Sequence, residues 1–164
     1  MARAAVRSRC KCPEFSGWMP RFFTLIEAES LLRDVEATLR RALELKAEYQ
    51  EAESGLQNYM QRINTMGGTM VDRERFTGQK NRRQESAQKL NDAIEKVHSY
   101  GCQIKDLDIG LLDFPTLYHG EEVCLCWKLG ENGIDYWHGV TEGFRGRKKI
   151  DQEFLEHHQG DLAN

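Results

Sequence analysis

The chain has 164 residues, with 26 acidic against 23 basic side chains, a formal net charge of −3, 40% apolar and 30% charged residues. That length supports a real hydrophobic core, and that balance excludes a protein held to nucleic acid or membrane by its total charge. No run approaches the ~20 apolar residues of a membrane span. The basic N-terminus is followed by no apolar stretch, so no secretory signal is expected and the five cysteines are expected as reduced thiols in a cytoplasm.

Residues 1–20 (MARAAVRSRCKCPEFSGWMP) set Arg3, Arg7, Arg9 and Lys11 against one acid, Glu14, with no helix or strand period. They are expected to form a disordered basic extension, with residues 1–18 additional to the domain that follows. Cys10-x-Cys12 has the spacing of half a zinc site, but no second Cys/His pair follows at finger distance.

A capping box opens the first helix: the Thr24 hydroxyl is placed to take the amide of Glu27, whose carboxylate returns to Thr24. A seven-residue repeat follows through Ala28, Val35, Ala42, Tyr49, Leu56 and Ile63. Its companion seam, Leu32, Leu39, Lys46, Glu53 and Met60, turns polar in the middle. This predicts a coiled-coil-like helix of roughly 60 Å. Met66-Gly67-Gly68-Thr69 is the turn, and a second helix is expected from about Asp72 to Tyr100, stopped by Gly101. Antiparallel pairing about Gly68 sets Glu53 against Arg83, a contact that serves register more than stability.

From Cys102 the hydrophobic period falls from 3.6 to two. Strands are expected at 103–107, 111–115, 122–129 and 134–140, joined by turns at Asp108-Ile109-Gly110, His119-Gly120 and Gly130–Gly133. The tight turn sets Phe114 opposite Leu125 and Asp113 opposite Cys126. A four-residue turn at 130–133 sets Trp127 opposite Tyr136 and Leu125 opposite His138. One face then collects Leu112, Phe114, Val123, Leu125, Trp127, Leu129, Ile134, Tyr136, His138 and Val140, and should pack on the base of the hairpin. The other collects Asp113, Cys124, Cys126, Lys128, Asp135 and Trp137. A one-residue slip would exchange the faces. Beyond the sheet lie a basic loop, Gly143 to Lys149, a short helix near 150–158 and a tail expected to fray from 159.

The expected architecture is therefore α+β: a long antiparallel helical hairpin (24–100) followed by a small antiparallel β-meander (102–140), together one domain over 21–150, with 151–164 a short helix and frayed tail. The pieces RFFTLIEAESLL (21–32), GCQIKDLDIGLLDFP (101–115), EVCLCWKLGE (122–131), YWH (136–138) and GFRGR (143–147) resemble a bacterial family catalogued as domain of unknown function 2203. The resemblance covers residues 21–150 and implies the same hairpin and sheet; it carries no activity. Cys124 departs from the family pattern, where an aromatic is commoner.

Several residues are candidates for chemistry. Beside Lys105, Asp106, Asp108 and Asp113 offer carboxylates for a hard cation or a general base, although aspartates beside Ile109-Gly110 ordinarily cap turn amides. Asp113 stands apart, because carboxylates are poor strand formers. Cys124 and Cys126 share a strand face as metal ligands must, but the register sends His138 to the other side, so inert thiols and a core histidine are the simpler reading. Trp137 on the polar face suggests a binding surface. Arg73, Arg75, Lys80, Arg82 and Arg83 at the hairpin tip, and Arg145 and Arg147 in the basic loop, are candidates for RNA phosphates or an acidic protein surface, though acids are interleaved.

Phosphate-loop, nucleophile-elbow and HExxH signatures are missing, and no cofactor is expected. The leading functional expectation is a non-enzymatic protein whose hairpin arm meets a protein partner or a second copy of itself. The alternatives are a metal-binding protein or enzyme using the Asp113/Cys126/His138 region, and an RNA- or ribosome-associated protein acting through the tip.

Overall fold

Helix α1, Leu25–Thr65, and helix α2, Arg73–Ser99, pack as an antiparallel pair in a computed structural model that describes residues 21–65, 67 and 72–161. The basic extension, the Cys10/Cys12 pair and most of the hairpin turn lie outside the described residues. The capping box forms as expected: the Thr24 amide donates to Glu27 Oε2 at 2.8 Å and the Glu27 amide to Thr24 Oγ1 at 3.2 Å. Asp72 caps α2 by accepting from the Arg75 amide. Gly101, with φ of 93°, follows the last turn of α2 in the left-handed conformation that ends helices.

Helix α1 spans 41 residues, roughly 60 Å at 1.5 Å per residue. Its buried positions are Ala28, Val35, Leu39, Ala42, Leu45 and Ala52, and all but Ala52 lie between its start and its midpoint, in the half nearer the sheet. Towards the tip, Met60 is 47% exposed. The polar breaks of the two helices meet as expected: Arg83 donates to Glu53 and, at 3.1 Å, to the Tyr49 hydroxyl. Lys46, the other polar residue of that α1 seam, pairs with Asp108 of the sheet's first turn.

Six strands follow: β1 Gln103–Asp106, β2 Leu111–Tyr118, β3 Glu121–Lys128, β4 Tyr136–Gly139, β5 Lys148–Lys149 and β6 His158–Gln159, with a 3-10 turn at Phe144–Gly146 and helix α3, Gln152–His157. The first five lie side by side in chain order, every pair antiparallel, and β6 joins β2. Gly110, with φ of 65°, turns β1 into β2; a Cβ there would sit 2.6 Å from Leu129 Cβ. His119 and Gly120, both at positive φ, make the tight turn between β2 and β3. That turn fixes the expected register, Asp113 against Cys126 and Phe114 against Leu125.

One pairing differs from expectation. On β4, Cys124 faces His138, Leu125 faces Trp137 and Cys126 faces Tyr136, one residue away from the sequence reading. The link from β3 to β4 is not a four-residue turn but the longer stretch Leu129–Asp135, and two interactions shape it. The Glu131 carboxylate accepts from the Lys128 amide at 2.9 Å and holds the end of β3. Ile134 folds inward and is 3% exposed. The slip exchanges the faces of β4: His138 and Tyr136 leave the apolar side and Trp137 joins it.

The apolar face carries Leu112, Phe114, Val123, Leu125 and Trp127, which form one core with Phe23, Ala28, Val35, Leu39 and Val97 from the helical end. Burying a core side chain of this kind is worth roughly 1.5–3 kcal/mol. Phe154 of α3 closes the cluster, its ring stacked against both Tyr118 and Trp137, which also meet each other. Among the described residues after α3, 158–161 are tied down, although fraying is expected from 159. The Leu25 amide donates to His158 Nε2 at 3.1 Å, the Phe22 amide to Asp161 Oδ2 at 3.0 Å, and the Asp161 amide to the Phe22 carbonyl at 2.9 Å.

Candidate functional site

Opposite the helices, alternation along β2, β3 and β4 points Asp113, Cys124, Cys126 and His138 to one side of the sheet. All four are buried, Asp113 at 1% and His138 at 2% exposure. One ligating atom from each of Asp113, Cys124 and His138 lies within 4.8 Å of the other two. His138 is the member that the slipped register supplies, and the expectation that it faces away from the thiols is corrected here. A single register step decides whether the site exists.

The imidazole is fixed at both nitrogens. Nδ1 lies 2.9 Å from the Gly139 carbonyl, which can only accept, so Nδ1 carries a proton. Nε2 lies 3.2 Å from Asp113 Oδ1. Hydrogen bonds to the Asp113 carboxylate and to Cys126 push the His138 pKa up to about 10, against the opposing effect of burial. At neutral pH the imidazole is therefore held protonated. Burial first, then the neighbouring Asp113 charge, pushes the Cys124 thiol up, so it stays protonated and is a poor nucleophile as it stands.

Asp113 Oδ2 is shut off from solvent and has no hydrogen-bond partner among the described residues. Its neighbour is the Lys105 ammonium at 3.7 Å. Pairing along β1 runs Ile104 with Leu112 and then Asp106 with Leu111, leaving Lys105 as the extra residue of a bulge. Bulges re-aim side chains, and here Lys105 reaches over the site while also donating to Gln103 Oε1 at 2.9 Å.

A second polar group braces the β3–β4 link. Arg147 grips Glu131 with two bonds, 2.8 and 2.7 Å, donates to the Cys126 carbonyl at 3.1 Å, and stacks over the Tyr136 ring at 4.3 Å. Burial works against the Glu131 charge, but the guanidinium and the Lys128 amide hold its pKa below the usual carboxylate value. Glu131 thus fixes the loop that sets the register of His138.

The other candidates are scattered. Asp106 caps its turn, accepting from the Asp108 amide at 2.8 Å and the Ile109 amide at 3.3 Å. Asp108 is largely exposed and pairs with Lys46. Trp137, expected on the polar face, lies half-buried on the apolar side, where its ring sits 5.0 Å from Tyr118 and 4.9 Å from Phe154. Cys102 does not join the other thiols; it lies in the apolar core, donates to the Val97 carbonyl, and burial raises its pKa to about 12. Arg147 is engaged internally and Arg145 is exposed. At the tip, Arg82 pairs with Glu51, Arg83 with Glu53, and Arg75 lies over the Tyr59 ring, while Arg73 and Lys80 are exposed.

Two packed helices followed by an antiparallel sheet make this an α+β protein, with its titratable cluster on the sheet face turned from the helices. The family model described as "Uncharacterized conserved protein (DUF2203)" matches residues 21–150, and the chain belongs to that family. Comparisons with curated proteins and with solved structures return no match. No helix among the described residues is long and apolar enough to cross a membrane.

Proposed function

We propose that this protein binds a divalent transition metal, zinc foremost, through Asp113, Cys124 and His138. The observation that carries the reading is the meeting of three unlike ligating atoms, one from a buried carboxylate whose Oδ2 has no hydrogen-bond partner among the described residues. A mixed oxygen, nitrogen and sulfur set suits zinc and its neighbours and is unsuited to calcium or magnesium. Ligand atoms of a tetrahedral ion with bonds of 2.0–2.3 Å sit about 3.5 Å apart, so side-chain shifts of roughly an ångström would close this cluster. The His138 Nδ1 bond to a backbone carbonyl is the outer-shell support that metal-bound histidines use, and it leaves Nε2 facing the site. Three protein donors leave one position for water, a substrate or the neighbouring Cys126 thiol.

Titration of the purified protein with Co²⁺ tests this. One equivalent should develop a thiolate-to-metal absorption band that Zn²⁺ abolishes. Asp113→Asn and His138→Ala should each weaken uptake at least tenfold. A wild-type protein that shows no band, and holds no stoichiometric metal on elemental analysis, overturns the reading.

A second reading keeps the hairpin as a partner-binding arm. It is favoured by the far half of α1, where Met60 is exposed and Leu56 and Ile63 are only half-buried. Self-association would appear in light scattering as a dimer that a Met60→Glu substitution splits; a strict monomer argues against it. RNA binding through the tip is less favoured, because Arg82 and Arg83 already face acids.

A further inference from the structure

We infer that Lys105 is a second resident counter-charge of the metal-free site, on the Asp113 oxygen that His138 does not bond, and that an entering metal ion must displace it. This rests on the metal reading above and adds a regulator to it. Asp113 Oδ2 is buried and unpartnered, and the ammonium of Lys105 stands 3.7 Å from it. The position is built: the β1 bulge aims the side chain across Gln103 towards Asp113, whose cross-strand partner Gln103 is. Asp113 itself is 1% exposed, whereas the Lys105 side chain is 40% exposed, so the lysine reaches the buried oxygen from the solvent side.

The electrostatics favour exchange. A dication at the ligating atoms of Asp113, Cys124 and His138 would lie a few ångströms from the ammonium. Two like charges at that separation repel appreciably even in a partly solvated setting. Coordination by carboxylate and thiolate would also cancel the negative charge that attracts Lys105. The lysine has somewhere to go: its bond to Gln103 Oε1 needs no help from Asp113, and a flexible stem with a strongly hydrated head swings to water at little cost. Lysine and metal thus compete for one oxygen, and the lysine sets a threshold that the free metal concentration must exceed.

The test is competitive titration of the full chain with Zn²⁺ against a chromophoric chelator, and with Co²⁺ by absorbance, at one pH and ionic strength. Lys105→Met and Lys105→Gln should bind roughly three- to tenfold more tightly than wild type, and Lys105→Arg about as wild type does. Lys149→Met is the control; it removes an equal, exposed charge from β5 and should change affinity less than twofold. Circular dichroism reports whether each variant is folded, and the two uncharged variants back each other. If wild type binds and both uncharged variants bind equally or more weakly, displacement is overturned while the metal site stands. If wild type takes up neither ion, both fall.

Discussion

The two faces of the sheet are made by the same strands and have opposite fates. On β2, Leu112 and Phe114 turn to the helices while Asp113 between them turns away; on β3, Val123, Leu125 and Trp127 alternate with Cys124 and Cys126. The first face is held by apolar burial, which is non-directional and forgiving of exact chemistry. The second buries a carboxylate, an imidazole and thiols, where each polar atom needs a partner and a missing one is costly. The difference teaches that burial on this sheet takes two forms: one face is held by apolar contact alone, and the other keeps titratable groups out of water, where an unpartnered polar atom is costly.

The sharpest way to separate the faces is to truncate each. Phe114→Ala should cost about 3–5 kcal/mol through lost burial and a cavity, read as a large drop in the denaturant midpoint. Asp113→Asn should cost less, about 1–3 kcal/mol, because His138 can relax to its neutral form, yet metal uptake should be lost. Replacing both members of the buried pair, Asp113→Leu with His138→Leu, should leave stability within about 2 kcal/mol of wild type or raise it, since buried ion pairs often give way to apolar groups without loss. A double variant that is stable but takes up no Co²⁺ would mark this face as kept for chemistry. One that unfolds would mark the pair as structural.

The smallest effect is on the brace between the faces. The Glu131 pKa is held below its ordinary value in the folded protein. Its contribution is therefore fully present above the unfolded carboxylate value, about 4.3, and is lost as pH falls through the folded one. Glu131→Gln should flatten that part of the acid limb of a stability–pH curve. It should also weaken metal uptake indirectly, because the loop that sets the position of His138 loosens.

Most of the fold was legible because it follows from short-range chemistry. The capping box, the Glu53–Arg83 meeting and the β2–β3 register each depend on a local pattern or a tight turn that leaves one answer. The candidate site was legible in its parts and not in its assembly. Asp113 and the two thiols were placed on one face, but His138 depended on how Leu129–Asp135 folds, and apolar alternation could not count that stretch. Ile134 inside the core and the Glu131 carboxylate on the Lys128 amide decided it. The available signal was an acid placed to bond back to the end of its own strand, followed by an isoleucine just ahead of the next. The two-residue strands β5 and β6 are too short to leave any period, and Trp137 followed β4 to the wrong face for the same reason as His138.

The tie between α3 and the head of α1 also bears on how the molecule is made. The amide of Leu25 finds its acceptor 133 positions later, in His158, and that of Phe22 finds its own 139 positions later, in Asp161. During synthesis Phe23 finds its partners in β2, where its amide donates to the Pro115 carbonyl and its ring meets Phe114, while the amides of Phe22 and Leu25 wait for a much later segment. Such a long loop is slow to close, so for that interval those two amides have only water for a partner.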